Sequence, residues 1–289
     1  MTLRNVRDLI DAEDSGSFWF STWRKQPTQP TSAGIWFDLS MSPGNPVPNY
    51  YAASPNISIA LAQSTDGGIP HGGAVAPLGL KKYLKQFVAM TTTAAAVPLN
   101  LILADYLLFY PFVDMSVTDE QFMTNTVALP RSQSGVGVQI MAVEVAGQTG
   151  VGNPQFYVNY TNSDGVSGRV TPTVSCNTQV VNGTIITSSQ ATDRSSGPFI
   201  ALQAGDKGVR KIDSVTFLSA DVGLIAFVLV KPVYQHTVRT IDAPTERTPV
   251  TDMCALPVIE DDAYLNLIAN TQASFQNAPL HGTITTVWG

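Results

Sequence analysis

Between residues 133 and 238 most of the chain consists of short runs of alternating apolar and polar residues closed by glycine-bearing turns. Val136, Val138 and Ile140 alternate with Gly137, Gln139 and Met141, and Phe156, Val158 and Tyr160 alternate with Tyr157, Asn159 and Thr161 before Asp164-Gly165. A period of two sends successive side chains to opposite faces, which suits a strand with one buried face and not a helix. In TQVVNGTIITSS, Asn182-Gly183 predicts a two-residue hairpin turn. DSVTFLSADVGLIAFVLVKPV adds one alternating strand and one continuous apolar strand, Leu224 to Val230, that Pro232 is expected to close, and HGTITTVW adds a strand at the end. Short strands at this spacing fold as antiparallel sandwiches. We therefore expect a mainly all-β chain, with residues 129–289 forming a jelly-roll-like β-sandwich body.

The first part, residues 1–128, reads as a more irregular β-rich elaboration of that body, with the boundary near Asn125 to Gln133 or absent if the chain is one domain. Thr2 can cap a short N-terminal helix whose apolar stripe is Leu3, Val6, Leu9 and Ile10, ended by Gly16. A helix this short needs a surface to dock on, its own body or a neighbour. In FWFSTW, alternation sets Phe18 and Phe20 against Trp19, so both faces are expected to be covered. From Gln26 to Pro55 the chain is proline-rich. Pro43, Pro46 and Pro48 fix φ and lack a donor N–H, which excludes a long helix or a central strand. This arm nevertheless carries Trp36, Phe37, Tyr50 and Tyr51, and such aromatics need a surface to cover, either the chain's own core or an adjacent subunit. Lys81 to Met90 fits a helix stripe or a strand, and Leu99 to Val113 a buried strand pair or one helix.

Charged residues make up 13% of the 289, about half the usual share of roughly 25%. So little charge implies a Ser, Thr, Asn, Gln and Gly surface, or one hidden in an assembly. The net charge is −6 and the bases are scattered, which excludes the basic face a nucleic-acid partner requires. AVPLNLILADYLLFYPFVDM is broken by Pro98, Asn100, Asp105 and Pro111 and is expected to be protein core rather than a membrane span. MTLRNVRDLIDAEDSGS lacks the form of a signal peptide, so assembly in the cytoplasm is expected. Cys176 and Cys254 are expected to be buried free thiols.

No arrangement of residues announces catalysis. Gly-x-Ser-x-Gly does not occur, and SGVGVQ and GQTGVG lack the Lys-Ser/Thr ending of a phosphate loop. His71, His236 and His281 stand far apart without metal-ligand spacing. Glu260-Asp261-Asp262 lacks the pattern of a calcium loop and is expected to be a solvated loop or the start of a helix over AYLNLIA. Asp105, Asp114, Glu144 and Asp164 are candidate acids for glycoside hydrolysis only if the fold pairs them. Trp36, Tyr50 and Tyr51 suit either stacking on sugar rings or burial. The expectation is a protein that is not an enzyme and uses no cofactor or metal.

At GIWFDLSMSPGNPVPNYYAASP, ADYLLFYPFVDMS, DVGLIAFVLVKP and HGTITTVWG the chain resembles structural virion proteins encoded by tailed bacteriophages. The resemblance implies a non-enzymatic subunit of the virion. From it and the low charge we expect a capsid decoration or cement protein that binds the major capsid protein or other virion proteins as a symmetric homo-oligomer such as a trimer. The alternative is a tail, baseplate or fibre component that binds carbohydrate. The expected interface residues are Trp36, Phe37, Tyr50 and Tyr51 on the arm and Leu3, Val6, Leu9 and Ile10 on the helix.

Overall fold

A computed structural model of the chain describes residues 3, 5–147, 153–177, 181–188, 194–252 and 255–289. One helix, α1 (Val6–Asp14), precedes the principal strands: β1 (Phe18–Lys25), β2 (Trp36–Asp38), β3 (Lys82–Thr91), β4 (Leu99–Asp114), β5 (Gln139–Ala146), β6 (Gln155–Asn162), β7 (Val209–Phe217), β8 (Leu224–Val238), β9 (Leu265–Thr271) and β10 (Leu280–Trp288). They form three sheets whose ladders are antiparallel. The chain is an all-β sandwich with a short N-terminal helix and an extended proline-rich arm.

The central sheet runs β2-β9-β4-β8-β5. β4 and the first half of β8, Leu224 to Val230, are almost continuously apolar and are buried on both faces. Leu99 to Asp114 is one sixteen-residue strand rather than a pair. Pro111 does not break it because the ladder slips there: Ile225 pairs with Val113 and Phe227 with Tyr110, leaving Pro111 and Phe112 outside the register. Likewise β8 does not end at Pro232. It continues to Val238 through the third slip of this ladder, between Pro232 and Tyr234, where an extra residue, Val233, is accommodated.

That slip decides the layering. Before it, Ile225, Phe227 and Leu229 point into one core. After it, the even-numbered Tyr234 and Val238 hold the corresponding inward positions in another. A one-residue bulge exchanges the faces of a period-two strand, so the same side of the sheet stays apolar from end to end. On this side, one end packs under the sheet β3-β10-β1 through Leu99, Leu101 and Leu103 against Trp23, Phe87 and Ile284. The other end packs under the sheet containing β6 and β7 through Tyr110, Ile140 and Phe227 against Phe156, Val158 and Phe217. The opposite side of the central sheet, with Ile102, Tyr106, Phe109, Met141 and Val228, is covered by Met41, Tyr51 and Leu61.

Residues on either side of position 128 contribute to all three sheets. Lys82 to Thr91 is a strand, fixed by its ladder with β10 from Leu280↔Thr91 to Trp288↔Lys82. The helix expected after Asp262 is instead β9, held between β2 and β4. At Asn182-Gly183 a turn does form, with Thr184 N–H donating to Val181 C=O at 3.0 Å. Of the residues after it, Thr184 bridges Phe37, Ile185 bridges Val143, and Ile186 C=O accepts from Asn177 N–H. Residues 178–180 before the turn lie outside the described residues.

Candidate assembly surface

The arm is sealed to the body by a buried polar knot. β2 pairs with β9, Asp38 opposite Ile268, which places the Asp38 carboxylate under the central sheet. It accepts from Ser40 N–H at 2.9 Å, Ser40 Oγ at 2.6 Å, Tyr51 OH at 2.5 Å and Tyr106 OH at 2.7 Å. Burial pushes its pKa up, and these donors act against that rise. Lys25, buried at the end of β1, donates from Nζ to the carbonyls of Ser40, Ser42 and Pro46 at 3.5, 3.1 and 2.8 Å. Loss of water around this ammonium lowers its pKa to about 8, with Asp38 opposing. Between Pro43 and Pro48 only Gly44–Asn45 pairs in a ladder, with Arg24 and Lys25, and the buried Asp38 and Lys25 side chains supply the rest of the anchoring.

The four arm aromatics consequently separate. Tyr51 is fully buried, its ring 5.2 Å from that of Phe109 and its backbone left-handed at φ 51°. Phe37 is buried edge-on to Phe275, under a turn in which a Cβ at Gly183 would lie 2.6 Å from the Phe37 ring. Trp36 is half-buried, and Tyr50 is 56% exposed. Phe37 and Tyr51 therefore bury their rings in the chain's own core, which corrects the expectation that they contact a neighbour. The stacking platform imagined from Trp36, Tyr50 and Tyr51 has one exposed ring.

The helix divides in a similar way. Asn5 caps it, its side chain accepting from Asp8 N–H at 3.0 Å; Thr2, the expected cap, lies outside the described residues. Leu9 and Ala12 are buried on Val287 of β10, with Leu3 partly buried beside them. Val6 and Ile10 are 62% and 48% exposed. The expected stripe thus splits, because the small Ala12 lets α1 sit on the sheet along the Leu9–Ala12 line, leaving Val6 and Ile10 roughly a quarter turn or more away on a helix of about 3.6 residues per turn. Next to it on β1, Phe18, Trp19 and Phe20 are 44%, 46% and 56% exposed. This corrects the expectation that both faces of FWFSTW are covered: only Ser21, Trp23 and Lys25 turn inward to full burial.

Of the candidate acids, Asp105 and Asp114 have structural partners. Asp105 takes two hydrogen bonds from Arg131, at 3.0 and 2.7 Å, and one from Tyr264 N–H. Asp114 accepts from Ser116, Glu144 is fully buried in β5, and Asp164 is exposed in a turn. Asp262 accepts from Ser64 N–H and Oγ, and Asp261 from Val75 and Ala76 N–H. Beside Asp261 the buried Lys82 Nζ donates to His71 Nδ1 at 3.2 Å while His71 Nε2 donates to Ala263 C=O at 2.9 Å. Burial, then the Lys82 charge, lowers the His71 pKa to about 4, so the ring is neutral. Among the described residues no group of three His, Cys, Asp or Glu side chains is placed to hold a metal ion. Cys176 is a buried free thiol whose pKa is raised chiefly by burial; Cys254 lies outside the described residues.

No family model matches the chain, and no curated protein matches it. Among solved structures, it aligns with the crystal structure of the infectious bursal disease virus VP2 subviral particle at 6% identity, over 93% of this chain and 80% of that one. The TM-score is 0.15, too low to carry an argument about fold or function.

Proposed function

We propose that this chain is a non-enzymatic structural subunit of a bacteriophage virion, binding the capsid surface as a decoration or cement protein. The observation that carries this reading is where the exposed apolar residues lie. Two of the arm's four rings, Phe37 and Tyr51, are turned inward to hold the chain together, while Val6, Ile10, Phe18 and Phe20 are left in water on adjoining elements, with Trp19 exposed on the other face of β1. Contiguous exposed apolar residues mark surfaces that meet other proteins. The resemblance of four segments to phage virion proteins supplies the kind of particle, and the shortage of charge fits a surface covered on assembly. The capsid protein is the proposed partner, and the virion the proposed location.

The test is co-sedimentation of the purified chain with heads assembled without it. Saturable binding that raises the temperature at which the heads open is expected. Heads that neither bind the chain nor gain stability from it would remove the proposal.

A further inference from the structure

The backbone of β1 has one side free. Ser17 C=O accepts from Trp288 N–H at 3.0 Å on the β10 side, while Gln26 N–H donates to Pro43 C=O at 2.9 Å on the other. Backbone groups alternate between the two sides of an antiparallel strand. The odd residues from Ser17 therefore bond β10, and the even residues Phe18, Phe20 and Thr22 aim N–H and C=O away from it. On that side Gly44–Asn45 covers Arg24 and Lys25 only. Among the described residues, no strand meets Phe18, Phe20 or Thr22 there; Thr22 C=O receives a long 3.4 Å bond from the Asn45 side chain. The register with β10 is unbroken from Phe18 to Lys25, so no bulge disturbs the edge, and the stretch FWFSTW contains neither charge nor proline. Folded proteins ordinarily protect an edge with such features, and Phe18 to Trp23 has none of them.

We infer that β1 is a pairing edge for a second copy of this chain, joined antiparallel about a two-fold axis at Phe20. Gly44–Asn45 closes the edge from Arg24 onward, so the free ladder is Phe18 to Trp23. Centring the axis on Phe20 sets Phe18 opposite the partner's Thr22 and Phe20 opposite the partner's Phe20. This register lets every outward N–H and C=O of Phe18, Phe20 and Thr22 pair in both copies. On the face that also carries Val287 and α1, the two Phe20 rings meet; on the other face, Trp19 lies across from the partner's Ser21. The charges agree with this arrangement. Arg24 is exposed at one end of the ladder, and Asp11 and Asp14 are exposed on α1 at the other. Antiparallel pairing carries each Arg24 to the end where the partner's α1 enters β1. A parallel neighbour would align like charges and lose the two-fold match.

The experiment is sedimentation of the intact chain, from low micromolar concentrations into the hundreds of micromolar, alongside Phe20→Lys and Phe20→Cys. The wild type is expected to run as a dimer at the upper end, and Phe20→Lys as a monomer with an unchanged unfolding midpoint, since Phe20 is 56% exposed. Phe20→Cys does not depend on that variant's folding. Directly opposed residues of a hydrogen-bonded pair sit about 5.5 Å apart at Cα, within disulfide reach. Oxidation should therefore convert most of it to a covalent dimer, while Val170→Cys, exposed on another sheet, stays monomeric. A wild type that is monomeric throughout, or a dimer that persists in Phe20→Lys and is not captured in Phe20→Cys, overturns the inference. The inference does not rest on the virion reading. A monomer that still binds heads defeats the edge pairing alone, and a dimer that ignores heads defeats the decoration reading alone.

Discussion

Tyr50 and Tyr51 are chemically identical neighbours that do opposite things, and the difference lies in one backbone angle. With φ at 51°, Tyr51 turns back under the arm, where its hydroxyl reaches Asp38 and its ring meets Phe109, while Tyr50 stays in solvent. Tyr51→Phe removes a donor from a buried carboxylate and is expected to cost about 1–3 kcal/mol. Tyr51→Ala also opens a cavity and is expected to cost about 3–5 kcal/mol. Tyr50→Ala should change stability by no more than about 0.5 kcal/mol. Urea unfolding of the three variants checks the order, and equal losses at 50 and 51 would contradict it. The sequence showed that the arm's aromatics needed cover but not which ones obtained it. A left-handed tyrosine cannot be read from composition or period, and no local pattern marks Asp38, the arm's one acid, for the Tyr106 hydroxyl that the fold brings to it. Only the prolines around it hinted that the segment would need side-chain anchors.

At the scale of elements, the start of β3, the 71–76 loop and the turn before β9 are joined through His71, Lys82 and Asp261. His71 titrates near 4 in the folded chain against an ordinary 6.5. The unfolded chain thus takes up this proton first as pH falls, so the stability that the neutral ring preserves is full above about pH 6.5 and is lost progressively toward about pH 4, by roughly 3 kcal/mol in all. Unfolding midpoints measured from pH 7 downward should fall more steeply in the wild type than in His71→Gln; parallel curves would contradict the assignment. β6 and β7 were evident from alternation, and the start of β8 from its continuous apolar run. β3 and β9 were not, because short apolar runs fit two periods and only pairing with β10, β2 and β4 decides between them. Pro232 looked like a strand end because a bulge, which admits it, leaves no clear local mark in sequence.

Across the whole molecule, alternation and turn chemistry made the all-β class readable, while the sharing of three sheets between early and late segments depends on long-range pairings. The last strand, β10, joins β1 to β3, and α1 docks on the same strand. The apolar surface near the beginning of the chain is therefore mounted on a sheet that closes only when the end of the chain is in place. This design suits the proposed role of a subunit that presents one finished face to a larger assembly, and Asp105 and Asp114 accept hydrogen bonds within the fold. The most direct measurement is the copy number of the chain in purified particles, by quantitative gel densitometry against the main coat subunit. The account predicts a number comparable with that of the coat; a few copies would place the chain at the tail or a vertex, and its absence from the particles would contradict the proposed role.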